Sequence, residues 1–430
     1  MPEWSIFMRR ITTLPNKIRI VTQGLKDRDS TALGVWVGAG ARYEQDSNKG
    51  VAHFLEHMAF KGSNKYSCDA IKQRVEGVGG NLNAFTSDEE TCFYAKVPAQ
   101  HQATAFDILA DITFFPKISK KDLDKERTVI LEEIKMYRDL PQYYVVELLE
   151  QLLWPGHPLG KSLAGTPESV GALGVKALRD FQQAYYLPSN VVICACGRVD
   201  HDALVDLVAK KLSGLTGQHD PRYTPARTEQ DKPAVHFFYK DTEQMHLALG
   251  SLAYETNHPD YIVLSLLNII LGGNMSSRLF SEVREKKGLA YSIGSGTKSM
   301  GDTGLFMIRA GVDNRKIVDA LRVVLNVLSR IRKQGVSADE FQRAKDYFKG
   351  QFLLGLEDTM DHMLWVGSAL ISNDQVRTLK EVIARIDSVT PEDVKRVARH
   401  VLASSRFNVS IVGPLAEGQQ RELRALLGVV

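Results

Sequence analysis

The chain has almost no excess of charge, few cysteines and no long apolar run, and each shortage removes a class of protein. Its 54 Lys and Arg stand against 51 Asp and Glu over 430 residues, a formal net charge of +3. Such a balance offers no general field for a nucleic-acid backbone or an acidic membrane surface, so neither partner is expected. Four cysteines in this length make no disulfide framework. Cys194 and Cys196 alternate within VVICACG as small core residues of a strand do, and they are not spaced as a CxxC site. A reduced, cytoplasmic compartment fits. The apolar stretch Tyr261 to Gly273 is broken by Ser265 and Asn268, and Ala32 to Ala41 is short. Neither reaches the ~20 residues of a spanning helix, so no transmembrane segment is expected. Near the start only Trp4 to Met8 is apolar, and Arg9 and Arg10 follow it. That run is short for a secretory segment and its charges lie on the wrong side, so no signal peptide is expected.

What is present is a soluble, globular composition, 44% apolar and 24% charged. An internal repeat divides it. ARYEQDSNKGVAHFLEHMAFKGS (41–63) matches LAYETNHPDYIVLSLLNIILGGN (252–274), with Tyr43-Glu44 over Tyr254-Glu255 and Gly62 over Gly273 at an offset of 211. Each segment follows an alternating strand pattern, LGVWVGAGA or HLALGSLA, and runs on into a helical one. The ends of the halves agree too, LPSNVVICACG against LASSRFNVSIVG. Between them, Ser213 to Pro233 is polar and carries Pro221, Pro225 and Pro233, a linker signal. The expected organisation is therefore a first half at 1–213, a linker at 214–234 and a second half at 235–430. Strands alternating with long helical patterns such as KKDLDKERTVILEEIKMYRDL put both halves in an α+β class, sheets with helices packed against them.

The feature that carries chemistry is His53-Phe54-Leu55-Glu56-His57 inside the helical pattern KGVAHFLEHMAF. Residues i, i+3 and i+4 share a helix face, so His53, Glu56 and His57 project together. Two imidazoles one turn apart can hold a zinc ion, and the carboxylate beside them is placed to activate a zinc-bound water. The spacing HxxEH inverts the HExxH zinc-protease signature. With 11 His in the chain, chance produces the pattern on the order of a few per cent of the time.

A catalytic zinc with one open position needs a third protein ligand. The helical pattern DKERTVILEEIKMY offers Glu126, Glu132 and Glu133. Glu126 and Glu133 lie two turns apart and share a face, while Glu132 is turned away by about 100°. The periodicity leaves Glu126 and Glu133 both open.

HFLEHMAFKGS followed by ERTVILEEI resembles the pitrilysin/insulinase family of zinc peptidases, in the branch of the mitochondrial processing peptidase β subunit and its bacterial relatives. The resemblance spans nearly the whole chain, duplication and linker included. It implies a clam-like metallopeptidase with one Zn2+ per chain, held by His53, His57 and Glu133, with Glu126 supporting a ligand and Glu56 as catalytic base. It also implies that Asn83, Ala84 and Phe85, in GGNLNAFT before the strand ETCFYAKVP, form an edge strand to which a peptide substrate adds. In SSRLFSEVREKKGLAYS it assigns Arg284 to a substrate carbonyl and Tyr291 to the oxyanion, both reaching across a cleft from the second half. His157 receives only a structural role. At the offset of 211, His53, Glu56 and His57 become Leu264, Leu267 and Asn268, so the second half has no metal set.

The expected activity is thus zinc-dependent endopeptidase cleavage of short or unfolded peptides in extended form. The rival readings are a non-catalytic structural subunit of the same family and a metal-dependent hydrolase of small molecules. The intact donor set and the short loop at Gly272-Gly273 favour the enzyme. By resemblance the chain pairs as a homodimer, or as a heterodimer with an inactive homologue, in a bacterial-type cytoplasm.

Overall fold

The structure, a computed structural model, describes residues 8–217, 221–226, 230 and 232–429. Parts of the expected linker, 218–220, 227–229 and 231, and most of the apolar run Trp4 to Met8 lie outside the described residues. The described chain is a mixed α+β protein with two sheets, each forming the centre of a compact unit.

In the first half the elements run β1 (Met8–Thr13), β2 (Arg19–Gly24), β3 (Ser30–Val37), α1 (Val51–Ala59), α2 (Cys68–Glu76), β4 (Asn81–Thr86) and β5 (Thr91–Pro98). Then follow α3 (Gln102–Phe114), α4 (Lys120–Asp139), α5 (Pro141–Leu153), α6 (Pro167–Ala172), α7 (Val175–Tyr185), β6 (Val191–Gly197) and α8 (His201–Leu212). The strands order as β1-β2-β6-β3-β5-β4, with β2 parallel to β6 and the other pairs antiparallel. Val51, Phe54, Leu55 and Met58 make one side of α1 apolar, and they are buried in the main core with Val35 and Phe93 of the sheet. Burying that stripe turns the opposite side of α1, with its histidines, away from the core.

In the second half the elements are β7 (Ala234–Phe238), β8 (Gln244–Ala253), α9 (Tyr261–Leu271), β9 (Ala290–Ser299), β10 (Gly304–Asp313), α10 (Ile317–Gln334), α11 (Ala338–Gly355), α12 (Thr359–Asn373), α13 (Leu379–Ser388), α14 (Pro391–Val401), β11 (Asn408–Val412) and α15 (Glu417–Leu427). The strand order β7-β11-β8-β10-β9 reproduces β2-β6-β3-β5-β4, including the parallel pair β7 and β11. The repeat read from Tyr43-Glu44 and Tyr254-Glu255 is thus a repeat of topology.

The units differ from two contiguous halves. One contains Met1–Ile134, Ser162–Thr224 and Leu353–Val376; the other contains Lys135–Lys161, Pro225–Phe352 and Arg377–Val430. Each half therefore gives up a helix. Val145, Leu148 and Leu149 of α5 are buried against Ala248, Leu305 and Val412 of the second sheet. Met363, Val366 and Leu370 of α12 are buried against Val21, Trp36, Cys92 and Cys194 of the first. The physical reason is that both sheets are apolar on both faces. The helices of its own half cover one face, and the other must be covered too. Close approach makes glycine necessary at α12. A Cβ on Gly367 would lie 2.1 Å from Trp36 Nε1, and one on Gly34 would lie 2.5 Å from Met363 Sδ.

Candidate metal centre

On α1 the rings of His53 and His57 stand 4.5 Å apart, with their Nε2 atoms separated by 3.2 Å. Glu133 on α4 completes the set. Its Oε2 is 3.5 Å from His57 Nε2 and 3.8 Å from His53 Nε2. These are the only three His, Cys, Asp or Glu residues among those described that converge closely enough to share an ion. Tetrahedral zinc bonds of about 2.0–2.1 Å place donor atoms about 3.3 Å apart, so the observed spacings fit a two-histidine, one-carboxylate zinc set.

The face shared by Glu126 and Glu133 is now resolved by packing. Glu126 is buried and both of its oxygens are used. Oε1 lies 2.9 Å from His57 Nδ1 and Oε2 lies 2.6 Å from Lys61 Nζ. It therefore orients His57 from behind rather than joining the donors. Glu132 is exposed on another side of α4 and is not in the donor set. His53 has no such support from behind, since its Nδ1 is buried without a hydrogen-bond partner.

Electrostatics follow this arrangement. Burial, reinforced by the neighbouring His57 charge, pushes His53 down to about 4, so it is neutral and ready as a ligand at pH 7. Burial opposes charge on His57 as well, but its hydrogen bonds to Glu126 and Glu133 prevail and raise it to about 9. Glu133 is lowered first by its hydrogen bond to His57, against burial. For Glu126, burial raises and the bonds to His57 and Lys61 lower, with a net downward shift. Glu56 is raised by burial, against a hydrogen bond from Thr86. Thr86 Oγ1 donates to Glu56 Oε2 at 2.6 Å.

Thr86 ends β4, and β4 is the outer strand of its sheet, paired only with β5. Asn83 is exposed; Ala84 packs toward the main core, and Phe85 points to the other face, 5.7 Å from the Trp36 ring. What β4 offers outward is thus its backbone edge. Arg284 and Tyr291 lie in the second unit. Arg284 sits on a π-helical turn, Phe280–Glu285, and its guanidinium carbon lies 5.7 Å from the centre of the Tyr291 ring. Tyr291, on β9, is 75% exposed. The structure brings these two together, as it brings His53, His57, Glu133, Glu126 and Glu56 together. His157 Nδ1 accepts from Leu159 N and caps a turn.

Lys61 and Thr86 were not singled out by sequence reasoning, though each left a signal. Lys61 is four residues past His57, one turn on. Thr86 shares its strand face with Leu82 and Ala84.

A helix-borne histidine pair closed by a distant carboxylate, with a further carboxylate beside it, is a donor arrangement suited to a zinc ion. Residues 19–167 match the family model described as Insulinase (Peptidase family M16), and residues 172–348 match Peptidase M16 inactive domain. The chain belongs to the M16, or insulinase, family of zinc peptidases. It is 37% identical over 420 residues to a protein of Streptomyces coelicolor named uncharacterized zinc protease, covering 96% of this chain and 91% of that one. YmxG of Bacillus subtilis, named likewise, is 35% identical and covers 94% and 97%. A probable mitochondrial-processing peptidase subunit beta of Arabidopsis thaliana is 30% identical, covering 95% of this chain and 79% of that one. A protease from Helicobacter pylori of known crystal structure shares the fold, with a TM-score of 0.90 at 23% identity, over 95% and 99% of the two chains. The inactive-domain match falls largely on the half where Leu264, Leu267 and Asn268 stand in place of the donors.

Proposed function

We propose that this chain is a zinc-dependent endopeptidase that cleaves short or unfolded peptides bound as an added strand along β4. The observation that carries the reading is the bond from Thr86, the last residue of the open edge strand, to Glu56, which stands beside the three-donor set. A backbone laid against β4 is thereby led toward the carboxylate and the metal position.

His53, His57 and Glu133 would hold one zinc ion, and Glu126 fixes the His57 ring. Zinc supplies Lewis acidity, polarising the scissile carbonyl and making water a better acid. Glu56 takes a proton from the attacking water and passes it to the departing amine. Burial makes its carboxylate more basic than an exposed one, and Thr86 holds its orientation. Strand pairing uses the substrate backbone, so side-chain demands are loose. Arg284 and Tyr291, exposed and adjacent, are assigned to the substrate carbonyl and the oxyanion. The support for this is their pairing at a π-helical turn, a feature frequent at functional sites.

A dimer, with itself or with an inactive homologue, and a reduced cytoplasmic setting complete the proposal. No helix among the described residues is long and apolar enough to cross a membrane. Replacing Glu56 by Gln should keep zinc at one per chain while cleavage of a quenched peptide falls by at least about a hundredfold. Retained cleavage would remove Glu56 from the mechanism.

A further inference from the structure

Helices α2, α6, α8, α12, α13 and α14 each begin on a Ser, Thr or Asp whose side chain accepts from its own first turn. The metal-bearing helix does not. It begins on Gly50, with φ of +92°, where a Cβ would lie 2.6 Å from the Ala164 carbonyl oxygen. No capping side chain fits at that position, and the free N–H groups of the first turn must be satisfied from elsewhere.

Glu44, six residues earlier, satisfies them. Its side chain is fully buried, and it accepts from Gly50 N at 3.0 Å and from Ala52 N at 2.8 Å. Lys49 Nζ lies 3.1 Å from the same carboxylate and donates to Ala41 O at 2.9 Å. The next residue after Ala52 is His53.

The Glu44–Lys49 charge pair by itself adds little stability. Buried ion pairs are costly to desolvate, and apolar replacements are often neutral or better. What a carboxylate with two directed backbone bonds does supply is a fixed rotation and depth for the turn it holds. The internal repeat provides a control. At the offset of 211, Glu44 and Lys49 become Glu255 and Asp260. Glu255 makes no side-chain hydrogen bond to the first turn of α9, and Asp260 instead takes Arg396 at 2.6 and 2.7 Å. The clamp and the donor set occur in the same half, and both are missing from the other.

We propose that Glu44 and Lys49 are positioning residues of the metal centre, fixing α1 so that His53 meets His57 and Glu133. The inference rests on the zinc-site reading above and deepens it. The test is the E44Q/K49M variant of the full chain, which removes the charge pair without stranding a cation. Zinc affinity is read by chelator competition, the visible absorption of the cobalt-loaded chain reports donor geometry, and melting of the metal-free chain is followed separately. The expected result is zinc binding about 10–100-fold weaker with an altered cobalt spectrum, while Glu255→Gln changes neither. A folded E44Q/K49M chain with wild-type zinc affinity and cobalt spectrum overturns the clamp. A wild-type chain that binds no zinc overturns the metal-centre reading itself, and the clamp with it. Should E44Q/K49M fail to fold, Glu44→Asp decides, because it keeps the charge pair and shortens the reach by one methylene. Weaker zinc binding at an unchanged metal-free melting midpoint upholds the clamp, and unchanged binding overturns it.

Discussion

Replacing Glu126 by Gln separates a ligand's support from the ligand itself. Glu126 holds His57 Nδ1 at 2.9 Å with one oxygen and Lys61 Nζ at 2.6 Å with the other, and its own side chain is 8% exposed. Gln fills the same volume, so the packing of α4 on α1 is kept. The Lys61 ammonium is a third exposed and regains water, so its loss of a partner costs little. His57 fares differently, because it keeps at best a neutral acceptor in place of an anionic one, at a largely buried site. Loss of such a supporting carboxylate lowers metal affinity about 10–100-fold, or about 1.4–2.8 kcal/mol. Chelator competition on Glu126→Gln should therefore show full zinc stoichiometry at saturation with a weaker affinity. Glu133→Gln should instead lower the stoichiometry, and Glu132→Gln should change neither. If Glu126→Gln loses zinc outright while Glu133→Gln keeps it, the two carboxylates have been assigned the wrong way round. Equal affinity in Glu126→Gln and wild type would refute the argument that Glu126 supports His57.

Three further outcomes follow from the geometry. Thr86→Val, which is nearly isosteric, should lower kcat about tenfold or more at unchanged zinc content, and Thr86→Ser should restore it; equal kcat in the valine variant would show that Glu56 needs no such anchor. Gly367→Ala sets a methyl 2.1 Å from Trp36 Nε1 and should destabilise the first unit by about 1–3 kcal/mol in urea unfolding, whereas an unchanged midpoint would mean that α12 is not docked as described. His362, 1% exposed on α12, is held down to about 4 by burial and then by the Arg9 charge. The unfolded chain takes up that proton near 6.5, so the contribution is intact above about pH 6.5 and is lost as pH falls toward 4, by roughly 3 kcal/mol at most. His362→Leu should flatten stability against pH in that window, and a slope equal to wild type would sink the assignment.

Local periodicity made α1 and its three chemical side chains legible, because helix phase depends only on residues within a turn or two. VAHFLEHMA interleaves an apolar stripe with His53, Glu56 and His57, and packing the stripe into the core turns the other three together to the opposite side of the helix. The same reasoning brought Glu126 and Glu133 to one face of α4 and could go no further. The choice between them depends on how α4 lies across α1, which sets Glu126 against His57 Nδ1 and Lys61 and sets Glu133 against the two Nε2 atoms. The edge position of β4 was legible only through family resemblance, since NLNAFT carries nothing that distinguishes an outer strand from an inner one. The pairing of Thr86 with Glu56, thirty residues apart, had no periodic signal linking them.

The domain boundaries show the same limit. The offset of 211 matches a repeat of topology, yet α5 and α12 cover the sheets opposite to those of their own halves. Nothing in the sequences of these two helices states which apolar sheet they will cover. By itself, then, the sequence determined the donor types, their phase on α1 and the duplication that left one half without them. Family resemblance named Glu133 over Glu126, which periodicity could not; only the tertiary structure decided how Glu126 and Lys61 pack behind His57, which helices change places, and that a buried carboxylate six residues before Gly50 holds the first turn of α1. Those outcomes rest on contacts between segments far apart in the chain or outside any regular period, and packing of side chains in three dimensions selects them.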